Sequence, residues 1–192
     1  MRQTNASLVL MLSLLSILNS GCRERITQPH RELSATKNQI SSLRFEGDSL
    51  VFNETKVAFP SSVEAVEEVL GAPDRTVKLV NRILVWEDLG IYAYQRDESC
   101  PIDSVVAEFK SEGYPFSPKS PFPGQVALLN TNISGQTTLE ELNTIGFDEK
   151  NTEFNSPGAG YPSIKIGSCT IIASVREGRV RSIAWSWHDL AD

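Results

Sequence analysis

An internal repeat restricts the fold of this chain more than any other feature of its sequence. The stretch FEGDSLVFN, which begins at Phe45, recurs as FPGQVALLN at Phe122, 77 positions later. Gly90 and Gly167 keep the same spacing, and residues 103–109 correspond to residues 181–187 at an offset of 78. Self-similarity at a nearly fixed spacing is typical of a duplicated structural unit. The sequence therefore predicts two similar units in tandem.

Both copies have the same predicted order of elements: a strand or strand pair, a helix, and then further strands. The helices are predicted at residues 61–70 and 138–144, where Ser or Thr can cap the first turn and a glycine follows the end. The first helix also has apolar residues at helical spacing. The predicted strands are residues 42–45, 49–52, 56–59, 77–86, 91–95 and 104–109 in the first copy, and residues 125–130, 163–166, 170–176 and 180–187 in the second.

The segment before the first copy predicts export from the cytoplasm. Arg2 precedes an apolar run over residues 8–18, which is too short for a membrane-spanning helix and is typical of a signal peptide over residues 1–21. The following stretch, LNSGCR, resembles a bacterial lipobox ending at Cys22, although Asn19 stands where the consensus has Leu. We expect Cys22 to carry lipid. Ordinary secretion with an unmodified Cys22 is the alternative.

The rest of the chain divides by composition. Residues 22–42 are polar and lack a hydrophobic period, so they are predicted to form a flexible tether. Repeat 1 follows over residues 43–110, a linker rich in Pro and Gly over residues 111–121, and repeat 2 over residues 122–190. The predicted fold class is α+β, with two tandem repeats that each pack a short helix on an antiparallel sheet.

The segment SVEAVEEVLGAPD, from Ser62 to Asp74, carries a resemblance to known families. A helix followed by Leu-Gly-x-Pro and then by strands is similar to small outer-membrane lipoproteins of the SmpA/OmlA type. Its tandem duplication resembles the architecture of β-lactamase inhibitor protein (BLIP). The resemblance spans about residues 45–110 and, more loosely, residues 122–188. It implies this fold and a binding role, and it implies no catalytic residue.

Cysteine parity supports the lipid anchor. The chain has three cysteines, Cys22, Cys100 and Cys169, an odd number for a protein in an oxidising compartment. If Cys22 carries lipid, an even pair remains. We therefore predict a disulfide between Cys100 and Cys169, and two unpaired thiols are the alternative.

No recognisable catalytic or metal motif occurs in the sequence. The two histidines, His30 and His188, are far apart, and the scattered cysteines do not supply a structural zinc site. The sequence has no G-x-S-x-G motif and no phosphate-binding loop. Glu87 and Asp88 are expected to cap a turn or to be exposed in it. We therefore predict no catalytic residue, no metal and no cofactor.

Aromatic residues are the best candidates for contact with a partner. Trp185 and Trp187 alternate along the last predicted strand, so they share one face of the sheet. The apolar residues at matching positions of repeat 1 favour packing in the core, and an exposed binding face is the alternative. Tyr114, Phe116 and Phe122 in the Pro-rich connecting stretch are the remaining candidates, either exposed or packed between the copies.

These features predict a bacterial cell-envelope lipoprotein that acts as a non-catalytic protein-binding or scaffolding module. Its lipid anchor would hold it facing the periplasm or the exterior, and a secreted or soluble periplasmic protein is the alternative. The formal net charge of −6 argues against nucleic-acid binding, so the expected partner is another envelope or secreted protein. The alternative function is an inhibitor or immunity-type protein that blocks a secreted enzyme. A hydrolase with an unrecognised site is a third possibility.

Overall fold

The computed structural model describes residues 40–148 and 161–187; the predicted signal peptide, Cys22 and nearly all of the predicted tether lie outside these ranges. The described residues form mostly β-sheet with two short helices, which confirms the predicted α+β class. The elements are β1 (Ser42–Glu46), β2 (Ser49–Phe52), β3 (Thr55–Ala58), α1 (Val63–Leu70), β4 (Arg75–Lys78), β5 (Arg82–Trp86), β6 (Ile91–Gln95), β7 (Ile102–Glu108), β8 (Gln125–Leu128), β9 (Thr131–Ile133), α2 (Leu139–Thr144), β10 (Ser163–Ile166), β11 (Cys169–Arg176) and β12 (Arg179–Ser186).

Both predicted helices are confirmed. Each begins at a residue whose side chain caps the free backbone N–H groups of the first turn. At the start of α1, the Ser62 hydroxyl accepts a hydrogen bond from the Ala65 N–H at 3.2 Å. At the start of α2, Thr138 and Glu141 form a reciprocal capping box. α1 then buries its apolar face in the core.

One predicted strand is wrong. Residues 77–86 belong to a hairpin in which β4 and β5 are joined by a tight turn. In this turn the Leu79 N–H donates to the Asn81 carbonyl at 3.0 Å, and Val80 at the tip is 97 % exposed. The sequence hides the turn because Leu79 and Val80 continue the apolar pattern and no Gly or Pro marks it. The short strand β9 is also missing from the prediction.

The strands form two sheets, and each sheet contains strands from both halves of the chain. The five-stranded sheet has the order β3-β2-β1-β8-β9, with β1 antiparallel to β2 and parallel to β8. The seven-stranded sheet has the order β10-β11-β12-β7-β6-β5-β4 and is antiparallel throughout. A separate sheet for each repeat is therefore not observed. β7 and β12 would be edge strands of separate sheets, and their pairing satisfies backbone groups that an edge leaves open.

One apolar core takes side chains from both sheets and both helices. Trp86 and Trp185 are fully buried in it. Trp187 is 8 % exposed and stacks on Phe59 with ring centroids 4.6 Å apart. Trp185 and Trp187 are thus core residues, as their counterparts in repeat 1 favour, and the alternative of an exposed Trp binding face is wrong.

The opposite face of the seven-stranded sheet, here named the outer face, carries a second apolar cluster. Its buried members alternate with core residues along the strands and are Ile83, Val85, Tyr92 and Val106. Phe116, from the segment between the two halves, packs against this cluster. The fold thereby brings the predicted linker, residues 111–121, onto the outer face of the sheet.

Candidate functional site

Four aromatic side chains meet on the outer face and are named the aromatic cluster: Tyr92, Tyr94, Tyr114 and Phe116. Tyr92 and Tyr94 are two residues apart on β6, so they point to the same side, and their ring centroids are 5.7 Å apart. Phe116 lies 5.4 Å from Tyr92 and 6.2 Å from Tyr94, ring edge to ring face. Tyr114 stacks on Phe116 with centroids 5.1 Å apart.

The aromatic cluster runs from the sheet surface out to solvent. Tyr92 is 4 % exposed, whereas Tyr114 is 46 % exposed; Tyr94 and Phe116 are half-buried. Burial raises the pKa of Tyr92 well above its usual value, so its hydroxyl stays neutral. Because one face of the Tyr114 ring is already packed on Phe116, little side-chain entropy remains to be lost when a partner contacts the ring.

The linker loop, defined as residues 109–121, is held to the sheet by Arg75 on β4. The Arg75 guanidinium donates to the carbonyls of Pro115 and Ser117 at 2.9 and 3.0 Å. Its Nε lies 2.6 Å from Glu87 Oε1. The rigid fork of donors on Arg thus fixes the loop backbone on both sides of Phe116.

Glu87, in the turn between β5 and β6, completes this attachment. Its Oε2 accepts the Lys119 N–H at 2.8 Å, and its carbonyl accepts the Ser120 N–H at 3.0 Å. Burial alone would raise the pKa of Glu87, but Arg75 and the Lys119 N–H more than offset this effect, and the pKa lies below its usual value. Glu87 is only 5 % exposed, so the expectation of an exposed position is wrong for this residue.

A second carboxyl group, Glu108 at the end of β7, is buried under the same loop. It is 1 % exposed, and its Oε1 accepts the Glu112 N–H at 2.7 Å. Within the described part of the chain, its Oε2 has no hydrogen-bond partner. Burial raises the pKa of Glu108, and hydrogen bonds from the Glu112 N–H and from the Ser117 and Ser111 side chains offset only part of this increase. Because the side chain is closed off from solvent, Glu108 is not placed to act on a bound substrate.

Sequence reasoning found half of the aromatic cluster. Tyr114 and Phe116 were predicted as candidates and lie together, whereas Phe122, Trp185 and Trp187 lie in the core. Tyr92 and Tyr94 were missed, since the strand IYAYQ is apolar on both faces and its pattern does not say which face is outward. The spacing of two between the tyrosines is the signal that they share a face.

The predicted disulfide is absent, because Cys100 and Cys169 are both free thiols in the structure. Cys169 begins β11, which is separated from β7 by β12. Cys100 lies in the turn between β6 and β7. Its carbonyl accepts a hydrogen bond from the side-chain amide of Gln95, on β6, at 2.6 Å. Strands with one strand between them are about 10 Å apart, whereas a disulfide needs Cα atoms within about 7 Å. Burial also raises the pKa of the Cys169 thiol to about 12.

Other parts of the described surface bring fewer chemical groups together. A groove of about 390 Å³ lies on the five-stranded sheet and is lined by residues that include Arg44, Gln125 and Asn132. Among the described residues, no group of three or more acidic, His or Cys side chains is placed to hold a metal ion. Within the same ranges, no helix is long and apolar enough to span a membrane.

The structure defines a two-sheet α+β protein with an aromatic cluster on the outer face of its larger sheet. The chain belongs to the family described as "Domain of unknown function (DUF7738)", whose model matches residues 42–143. The match covers more than half of the 192 residues, from β1 into α2, and includes the whole aromatic cluster. No curated protein and no solved structure matches the chain. Because the family carries no assigned activity, function has to be argued from the site itself.

Proposed function

We propose that this protein is a non-catalytic protein-binding or scaffolding module of the bacterial cell envelope. The observation that carries the proposal is the aromatic cluster, in which Tyr114 is 46 % exposed and backed by packed rings. Tyrosines on a packed apolar surface are enriched at interface hot spots. The net charge of −6 favours a partner surface that is neutral or basic.

An inhibitor or immunity-type protein is the second candidate function. An aromatic patch on a sheet suits the blocking of a secreted enzyme as well as the holding of a scaffold partner. The partner is in either case another envelope or secreted protein. The identity and stoichiometry of that partner distinguish the two roles.

The test is recovery of bound envelope proteins by the full chain and by two variants. Tyr114→Ala removes the exposed ring of the cluster. Leu129→Ala is the matched control, because Leu129 is 51 % exposed in the turn between β8 and β9, on the other sheet. We expect the wild type and the control to retain a partner that Tyr114→Ala loses at least about tenfold. Equal recovery by all three would contradict the proposal, and one stoichiometric hydrolase would favour inhibition.

We also propose a lipid anchor at Cys22, which places the folded part at a membrane surface. The apolar run over residues 8–18 and the lipobox-like LNSGCR support it. Cys22→Ser is expected to move the protein from the membrane fraction to the soluble fraction. Unchanged fractionation would mean that lipid on this residue does not hold the protein.

Within the shared sheets, we infer that the two halves are tandem repeats related by an approximate two-fold axis between β7 and β12. Val105 pairs with Trp185 and Ala107 with Ile183, and an offset of 78 converts one pair into the other. The segment before α1 forms a β-bridge with the start of β7, and the segment before α2 forms one with the start of β12. These equivalences support a duplication. Resemblance to the BLIP and SmpA/OmlA architectures stays a prediction.

A further inference from the structure

We propose that the linker loop is a proton-controlled strap, which holds the aromatic cluster together while Glu87 is ionised and Glu108 is protonated. The inference concerns regulation of the binding site under Proposed function. It rests on that function only for its consequence in binding, because the state of the loop can be measured without a partner.

The linker loop is closed at its ends, and between them it is attached to the sheet through hydrogen bonds with Arg75, Glu87 and Glu108. The Phe122 N–H, just after the loop, donates to the Glu108 carbonyl at 2.7 Å, so the two ends of the loop meet. This is the geometry of an Ω-loop, a class of surface loop that is frequently functional. Phe116 and Tyr114 depend on this loop for their positions, whereas Tyr92 and Tyr94 are held by β6. Movement of the loop therefore separates the two halves of the cluster.

The attachment at Glu87 requires an ionised carboxylate. Both of its oxygens accept charge-assisted bonds, from Arg75 Nε at 2.6 Å and from the Lys119 N–H at 2.8 Å. A proton on either oxygen removes an acceptor and the charge that attracts Arg75. Arg75 is also the donor to the loop carbonyls, so protonation of Glu87 weakens the attachment on both sides of Phe116.

Glu108 has the opposite requirement. Its Oε2 is buried without a hydrogen-bond partner in the described part of the chain. The Glu112 N–H and the Ser117 and Ser111 side chains favour the ionised form of the carboxyl, but burial outweighs them, so an ionised carboxylate there is only partly compensated. A cavity of about 210 Å³, lined by residues 108–111 and 118–121, separates the end of β7 from the second half of the loop. The loop is thus loosely packed over Glu108, and lifting it lets water reach the carboxylate.

The neighbours of Glu108 on the sheet and on the loop supply no opposite charge. Glu112 faces it from the loop, and its carboxylate disfavours a second negative charge. Tyr92 and Tyr94 face it from β6 and are neutral, with pKa values raised chiefly by burial. Ser182 lies opposite Glu108 on β12 and is uncharged.

Two lysines also line the cavity, but their charges lie elsewhere. The Lys119 ammonium is 3.7 Å from Glu87 and its side chain is 79 % exposed. Lys110 is exposed. Lysine stems commonly line apolar surface while the ammonium remains in water.

The two carboxyl groups therefore respond to pH with opposite sign. Because the pKa of Glu87 is lowered, this residue stabilises the closed loop at pH values above the ordinary glutamate pKa. That stabilisation is lost as pH falls through the lowered pKa. Because the pKa of Glu108 is raised, this residue stabilises the closed loop at pH values below the ordinary glutamate pKa. That stabilisation is lost as pH rises through the raised pKa. The strap is closed most firmly between the two pKa values.

Hydrogen exchange of the loop amides tests the strap directly. Protection of residues 111–121 is measured across pH in the full chain, after correction for intrinsic exchange rates. For the wild type, we expect protection to peak between the two pKa values. In the wild type, the opening constant of the loop should rise at higher pH by about tenfold for each unit by which the pKa of Glu108 is raised. Glu108→Gln should remove this loss of protection. Glu87→Gln should lower protection and remove the decline at lower pH.

Two controls keep the result specific. Glu98→Gln changes an exposed carboxylate in the turn before β7 and should match the wild type. Peptides from β11 report the core, and their loss of protection at the same pH would mean general unfolding and would contradict a local strap. Identical pH profiles for Glu108→Gln and the wild type would also overturn the inference. If the profiles behave as expected but partner recovery does not depend on Tyr114, the strap stands and the proposed binding function fails.

Discussion

Replacing Gly90 with alanine is expected to destabilise this protein much more than the same change at Gly167. Both glycines occupy hairpin turns, with φ of 67° at Gly90 and 60° at Gly167, where L-residues are strained. A Cβ atom at Gly90 would lie 2.0 Å from the Phe122 backbone nitrogen, whereas none of the described atoms lies within 4 Å of one at Gly167. The two variants therefore separate backbone strain from steric overlap.

The magnitudes follow from these contacts. Alanine in the left-handed region costs about 1–2 kcal/mol, and reduced freedom of the unfolded chain returns about 0.4–1 kcal/mol. Gly167→Ala should therefore lose about 1 kcal/mol of unfolding free energy. Gly90→Ala adds displacement of Phe122, which disrupts its hydrogen bond to Glu108 at 2.7 Å and the Glu108 N–H bond to Gly90 at 2.8 Å. Each bond is worth about 1 kcal/mol, so the total loss is about 3 kcal/mol.

Urea unfolding followed by Trp fluorescence measures both losses from the midpoint, provided that the m-value is unchanged. The buried Trp86 and Trp185 report the shared core. A difference between the two variants of less than about 1 kcal/mol would show that the Phe122 backbone moves at little cost, and would refute the reasoning.

Three further outcomes are expected. A thiol reagent followed by peptide mapping should detect modification of the half-buried Cys100 in the native protein and of Cys169 only after unfolding. The reason is that Cys169 is buried and its pKa is raised to about 12. A mapped Cys100–Cys169 bridge would contradict this expectation. Thr138→Ala should lower the unfolding free energy by about 1 kcal/mol through loss of the α2 cap, and an unchanged urea midpoint would contradict it. Phe116→Ala should cost about 2–3 kcal/mol and Tyr114→Ala less than about 1 kcal/mol, since Tyr114 is the exposed member; equal losses would mean that Tyr114 is structural.

The helices and most strands could be predicted because their signals are local. Ser62 and Thr138 lie where caps are preferred, and the α1 sequence has its apolar residues at one helical spacing. The partners of the strands could not be predicted. The repeat suggests two separate sheets. In the structure, β7 pairs with β12 and β1 pairs with β8. These pairings join strands of different halves that would otherwise be unpaired edges, and such contacts between halves have no local signal in the sequence.

The site was harder to predict than the fold, and one error accounts for much of this. With residues 77–86 taken as a single strand, Arg75 and Glu87 would lie at opposite ends of an extended segment. The hairpin of β4 and β5 instead sets Arg75 opposite Val85, which brings its guanidinium to Glu87. Without this turn, the attachment of the linker loop cannot be predicted from the sequence. The position of Phe116 against Tyr92 then cannot be predicted either.

The central place of β1 has a mechanical consequence. β1 is the first strand of the described chain, and it pairs with β2 from its own half and with β8 from the other half. Tension applied through the residues before position 40 would therefore load β1 along its length and shear hydrogen bonds on both of its sides at once. Shear distributes force over all of these bonds, whereas peeling breaks them singly. A pull from the N-terminal side is thus resisted jointly by both halves of the molecule.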